Sequence, residues 1–286
     1  MVSRSINETM LDVAEAGGGD PVVLVHGSAS DARTWTGQIE PLAERFRVVT
    51  YSRRSHWPNE PAPDGATYSM SEHVEDLAAL VRSLDIGPAH VVGHSYGGVV
   101  ALTTAIRHPS LVRSLVLIEP PVIALFLSEP PKPSEMLRVV TRSPALALAL
   151  VRFGATGVAP AKKAAKQNDM DHAIRKFGTA VLGAQSFANL GDDRWQQILD
   201  NNIRAEYLSE IFDPMTETEV RSVQSSTLLV SGADSPRLWR LLTDHLDSLM
   251  AHSSRVEIPG ASHIVHEDNT AAFNRHLVEF LTDAAR

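Results

Sequence analysis

Gly93-His94-Ser95-Tyr96-Gly97, followed at once by Gly98, is the stretch on which the reading of this chain turns. The pattern alone is weak: at roughly 7% per fixed position, a chain this long shows Gly-x-Ser-x-Gly by chance about one time in ten. Its flanks add the weight. Ala89-His-Val-Val-Gly93 reads as a short buried strand, and Gly97 to His108 reads as a helix with Val99, Val100, Leu102 and Ile106 along it and Pro109 stopping it. A serine in a strand–turn–helix setting is held in a strained conformation at the strand tip. Small neighbours are needed so that other chain segments can approach, and Gly93 and Gly97 supply them. The helix N-terminus then faces the serine, so the Tyr96 amide is placed to bind a developing oxyanion.

The same strand–helix alternation extends outward. Pro21–Val25, Arg47–Tyr51, Leu115–Ile118, Ser226–Ser231 and Ser254–Ile258 are further short apolar runs bounded by glycine or proline. Helical patterns lie between and after them. Ser71 to Leu84 begins with an expected Ser71 cap, and Pro236–Met250 and Thr270–Ala285 close the chain. Such alternation predicts an α/β fold, a mostly parallel central sheet flanked by helices. It breaks from Pro121 to Val220, which carries proline clusters and Ala/Leu-rich segments without strand signals. The expected division is a core of residues 1–120 and 221–286 with a helical lid, residues 121–220. Lys162-Lys163-Ala-Ala-Lys166 reads as a solvated helix face.

Composition narrows the classes. The 286 residues are 43% hydrophobic and 21% charged, ordinary for a globular chain, with a formal charge of −8 that disfavours nucleic acid and anionic membranes as partners. There is no cysteine, which removes disulfides, thiolate catalysis and cysteine-based metal sites and fits a reducing, cytoplasmic setting. Met1–Met10 lacks a signal-peptide core, and the apolar run Ala145–Val151 is too short to span a bilayer. The expected partner is a small molecule. Neither a metal nor an organic cofactor is implied.

A serine hydroxyl needs a base to become a nucleophile. Of twelve histidines, His263 in Ile258-Pro-Gly-Ala-Ser-His263 follows the last strand and precedes a helix, at the strand C-terminal edge where Ser95 also lies. His266 is the neighbour most readily confused with it. The loop Val25-His26-Gly27-Ser28-Ala29-Ser30 follows the first of these strands and offers the second oxyanion amide, at Ser28 or, less favourably, Ala29. His26 reads as a structural, hydrogen-bonded histidine. Ala29, His94 and Phe126 are the candidate substrate contacts, with Val122–Leu127 and Leu146–Val151 as apolar walls.

Together these segments resemble the α/β-hydrolase fold superfamily over nearly the whole chain. The resemblance implies a serine, a histidine and an acid in that layout, and it departs at two places. In Tyr51-Ser52-Arg53-Arg54-Ser55, Ser52 and Ser55 stand where the family commonly has Asp and Gly. The family's usual acid position is Ser235, which cannot serve. Asp234 lies one residue earlier, and Glu119 ends the strand after the nucleophile's helix, as in hydrolases that resemble haloalkane dehalogenases. Glu119 is preferred, because an unpaired carboxylate between an apolar strand and Pro120-Pro121 would be costly; Asp234 is the alternative. The implied activity is hydrolysis of a carboxylic ester or lactone of a small, largely apolar substrate. Alternatives are C–C bond hydrolysis of a β-diketone, cofactor-free perhydrolysis and, in another class, a non-catalytic small-ligand receptor. Epoxide hydrolase and dehalogenase chemistry is disfavoured, because the enzymes of that kind that this chain resembles carry Asp, not Ser, at the Ser95 position.

Overall fold

The computed structural model describes residues 2–63, 65–66, 68–85, 87–201, 204–209 and 212–285. Eight strands form one sheet: β1 (Val2–Ile6), β2 (Thr9–Ala16), β3 (Pro21–Val25), β4 (Arg47–Tyr51), β5 (Ala89–His94), β6 (Val112–Ile118), β7 (Ser226–Gly232) and β8 (Ser253–Ile258). Their spatial order is β1-β2-β4-β3-β5-β6-β7-β8. β1 and β2 are antiparallel; from β4 to β8 all neighbours are parallel.

The parallel strands are apolar on both faces because helices cover both. Val23, Val25, Val91, Leu115, Leu117 and Leu229 point one way, into a core shared with the helices Met70–Arg82, Tyr96–Arg107 and Arg237–Leu249. Val22, Leu24, Val92, Val116 and Val230 point the other way, against Trp35, Leu42, Phe273 and Leu277 of the helical segments on that side. Each such side chain, once fully buried, contributes about 1.5–3 kcal/mol.

The N-terminal hairpin went unpredicted. β1 buries only Ile6, and β2 buries only Leu11 and Val13 on alternate positions. Its turn uses Asn7 and Glu8, both at positive φ (45° and 61°), without the glycine that marks such turns. One cap also moves: Ser69, not Ser71, caps the helix Met70–Arg82 by accepting from Glu72 N, while Ser71 Oγ donates to Asp213 at 2.6 Å.

Between β6 and β7 the chain is helical, with the insertion running from Pro133 to Leu208. Within it, Ala161, Ala164, Ala165 and Ala173 form a small core of their own, and Lys163 and Lys166 face solvent as expected. The run Ala145–Val151 is part of a longer helix than its apolar core suggested. Pro144–Phe153 continues through a π-helical turn into Ala159–Lys166. By length and composition this 23-residue helix reaches what crossing a membrane requires. Leu146, Ala147 and Leu150 are buried, whereas Leu148 and Val151 are exposed.

Two buried histidines link this packing to pH. His90 in β5 bonds Ser114 at 2.7 Å and is pushed down to about 4 by burial, then by Arg113. His266, stacked on Trp35 at 4.3 Å, is pushed down to about 3 by burial, then by Arg194 and His263. Below the ordinary histidine pKa of about 6.5 the unfolded chain takes up protons that the folded chain refuses. Stability therefore falls with acidification between about 6.5 and 4 for His90 and between about 6.5 and 3 for His266, at up to about 1.4 kcal/mol per pH unit for each. The melting temperature should decline from pH 7 to 4, and less steeply in His90→Gln; equal slopes in the two proteins would contradict this account.

Candidate active site

β5 ends at His94 and the next helix starts at Tyr96, which leaves Ser95 alone in the turn. Ser95 holds φ 51° and ψ −122°, a strained conformation that costs roughly 1–3 kcal/mol. The turn is fixed by Ser95 N donating to Ile118 O (2.8 Å) and by Ser95 O accepting from Gly98 N (2.8 Å) and Val99 N (3.2 Å). Glycine is required on both sides. A Cβ on Gly93 would lie 2.4 Å from Gly97 O, and one on Gly97 would lie 2.3 Å from Val25 O and 2.4 Å from His26 O.

Those last carbonyls belong to the end of β3 and the start of the loop after it. A Cβ placed on Gly27 would sit 3.1 Å from Ser95 Cβ, so the segment that continues into Ser28 and Ala29 passes directly beside the serine. Buried Arg53 holds this loop. Its Nε donates to His26 O (3.0 Å) and its Nη2 to Gly27 O (2.9 Å), while its Nη1 donates to Tyr68 Oη (2.6 Å). The Arg53 amide donates to His26 Nε2 at 2.8 Å, which makes His26 the structural histidine expected. Burial, then the Arg53 charge, holds His26 well below the ordinary histidine value.

His263 lies in the loop after β8, 2% exposed. Its Nδ1 is 2.7 Å from Glu119 Oε2. A carboxylate can only accept, so Nδ1 carries the proton and Nε2 is left as the basic nitrogen. Nε2 is buried and has no hydrogen-bond partner among the described residues. Glu119, fully buried, also accepts from Gly232 N (2.9 Å) and Ser235 Oγ (2.8 Å). Asp234, by contrast, is exposed. Of the two candidate acids, Glu119 is the one that reaches the imidazole. Ser235, where the resemblance would place the acid, instead donates to the Glu119 carboxylate.

His94 ties the serine turn to the histidine loop. Its Nε2 donates to His263 O at 2.9 Å, and the two rings are 5.0 Å apart. Burial, then the charges of His266 and His263, holds His94 well below its ordinary value. His94, a candidate substrate contact that also stands fixed beside the nucleophile, is by its bond to His263 O a strut between two loops. Phe126 was expected to touch substrate too, but its ring packs on His245 at 4.7 Å, in a cleft of about 300 Å³ whose lining includes neither Ser95 nor His263. His266 bonds Thr34 Oγ1 at 2.8 Å and stays out of the pair.

Sequence reasoning missed three neighbours of this site. Trp239 packs its ring on His263 at 4.5 Å. Arg53 sat in a segment noted only for its departures. Glu206 comes from the insertion and is taken up below. Among the described residues no cluster of three or more metal-ligating side chains occurs.

A family model described as the alpha/beta hydrolase family matches residues 22–276. The chain belongs to this family. A 2-(acetamidomethylene)succinate hydrolase of Mesorhizobium japonicum is 32% identical over 114 residues, 40% of each chain. The match thus spans about two fifths of that relative's length. The enol-lactonase of Burkholderia xenovorans superposes with a TM-score of 0.76 at 19% identity, over 98% of this chain and 100% of that one. A thermophilic esterase of Thermogutta terrifontis does so with a TM-score of 0.77 at 19% identity, over 99% and 98%.

The glycine contacts give a direct test of the turn. Gly97→Ala forces a Cβ onto two backbone carbonyls, so it should cost at least about 1–3 kcal/mol in urea unfolding. Gly18, where an added Cβ meets nothing within 4 Å, is the control: Gly18→Ala should leave the midpoint nearly unchanged.

Proposed function

We propose that this hydrolase cleaves carboxylic esters or lactones of small, largely apolar substrates by acyl transfer through Ser95. The observation that carries the reading is the buried Glu119–His263 contact of 2.7 Å, on a loop tied by His94 to the serine turn. That an enol-lactonase and an esterase share the fold supports the bond class.

In this reading Ser95 Oγ attacks the carbonyl carbon while His263 Nε2 takes its proton. The tetrahedral oxyanion is bound by the amides of Ser28 and Tyr96. Collapse breaks the acyl–oxygen bond, and His263 gives the proton to the leaving alkoxide. Water then attacks the acyl-enzyme and passes a proton to His263, which returns it to Ser95 as the acid departs. Glu119 keeps the imidazole in the Nδ1–H tautomer and stabilises the imidazolium.

Ser95 should be labelled by a fluorophosphonate probe, and Ser95→Ala should abolish labelling and lower kcat by several orders of magnitude. Unlabelled wild-type protein that still binds small esters would indicate a receptor. Glu119→Gln should cost up to about 10⁴-fold in kcat, with Asp234→Asn near wild type; the reverse order would make Asp234 the acid. A panel of acyl esters, lactones and a β-diketone decides the bond: faster turnover of the diketone would replace the ester reading with C–C hydrolysis.

A further inference from the structure

The helix Arg204–Leu208 of the insertion carries one buried acidic side chain, Glu206. Glu206 is only 8% exposed, and its Oε1 is buried with no hydrogen-bond partner among the described residues. Its carboxyl faces the loop after β3. The Ser28 side chain and the Ala29 amide both draw it toward the ionised form. Ser28 follows the glycine that packs on Ser95. The carboxyl therefore lies beside the proposed oxyanion loop, on the lid side.

Burying an acceptor without a donor costs about 1–3 kcal/mol. A surface glutamate avoids this by bonding water, and a core glutamate avoids it by bonding protein, as Glu119 does three times over. Glu206 does neither at Oε1. Burial pushes its pKa up; the Arg53 charge, then the two loop donors, oppose that rise. Arg53 acts through space, since its own bonds go to His26, Gly27 and Tyr68 and no direct ion pair with Glu206 occurs among the described residues.

We propose that Glu206 is a specificity-determining residue, selecting substrates that carry a neutral hydrogen-bond donor, a hydroxyl or an amide N–H, on the part seated beside Ser28 and Ala29. The inference rests on the hydrolase reading for the placement of substrate. Neutral donors fit better than an ammonium, because the buried Arg53 guanidinium already supplies positive charge to this carboxyl. A substrate lacking the donor leaves Oε1 unsatisfied and is rejected for the reason that polar sites reject apolar isosteres.

The test uses Ser95→Ala protein, which holds esters without turning them over, and calorimetric binding of matched ester pairs. Within each pair a hydroxyl replaces a methyl, in the acyl chain in one pair and in the alcohol in the other; a third pair carries an ammonium. In at least one hydroxyl pair the hydroxylated ester should bind about tenfold tighter or more. Adding Glu206→Met should remove the preference, while Glu206→Gln, which keeps an accepting oxygen, should retain part of it. Equal affinities within both hydroxyl pairs, binding of no ester at all, a preference that survives Glu206→Met, or a preference for the ammonium ester would each overturn the proposal. Where Glu206→Met does not fold, the comparison within Ser95→Ala protein still decides. Fluorophosphonate labelling of the protein with Ser95 intact reports separately on the hydrolase reading.

Discussion

A carboxylate with no solvent exposure sets the terms for this end of the sheet. Glu119 must be supplied with donors or it destabilises the fold. The donors come from two other segments: Gly232 N and Ser235 Oγ at the end of β7, and His263 Nδ1 in the loop after β8. One buried charge thereby fixes the relative positions of three strand ends. The Glu119 amide adds a backbone bond to Val230 O at 3.0 Å. The imidazole is held by the same contacts that satisfy the acid, so its orientation needs no separate device.

The insertion takes part in this organisation through the loop after β3. Arg194 Nη1 donates to Ala29 O (3.1 Å), and Gln197 Nε2 and Asn201 Nδ2 donate to the buried carboxylate of Asp31 (2.9 and 2.6 Å). Trp57 N in turn donates to Asn201 Oδ1 at 2.8 Å. From below, Arg53 holds the carbonyls of His26 and Gly27. The loop whose amides are proposed to bind a developing charge has to be rigid before the charge appears. Here it is gripped from the core by one guanidinium and from the lid by three side chains.

The sequence was most legible where local chemistry decides structure. The parallel strands stand out because both faces are apolar, and Ser95 stands out because only glycine fits on either side of it. Glu119 was legible through the resemblance, which places an acid there in some hydrolases, together with an energetic argument: a carboxylate next to an apolar strand needs a partner. β1 and β2 were not legible, because a hairpin burying two residues of β2 leaves almost no periodic signal. Glu206, Arg194 and Asn201 were invisible for another reason. Their roles come from contacts between the insertion and the β3 loop, more than 160 positions away in the chain, and no spacing pattern encodes such contacts. Arg53 lay between two departures from the family pattern that drew attention away from it. At one of them, Ser55 holds φ 65° where the family has glycine.

Strain is also present in the same place. Of the eight described non-glycine residues with positive φ, three, Ser95 (51°), Glu119 (43°) and Ala29 (46°), belong to the candidate site. Each such conformation costs on the order of 1–3 kcal/mol, a large amount beside the net stability of a domain, about 5–15 kcal/mol. Their persistence requires surroundings that allow no cheaper arrangement. For Glu119 these are the three donors. For Ser95 they are the glycine contacts and the bond to Ile118 O, and for Ala29 the Arg194 bond and the Arg53-held carbonyls just before it. The apolar sheet faces give the rigid frame against which these contacts act. The strain at the three residues and the apolar burial on both faces of the sheet are thus two sides of one arrangement, in which the core stabilises a geometry that the site residues would not adopt alone.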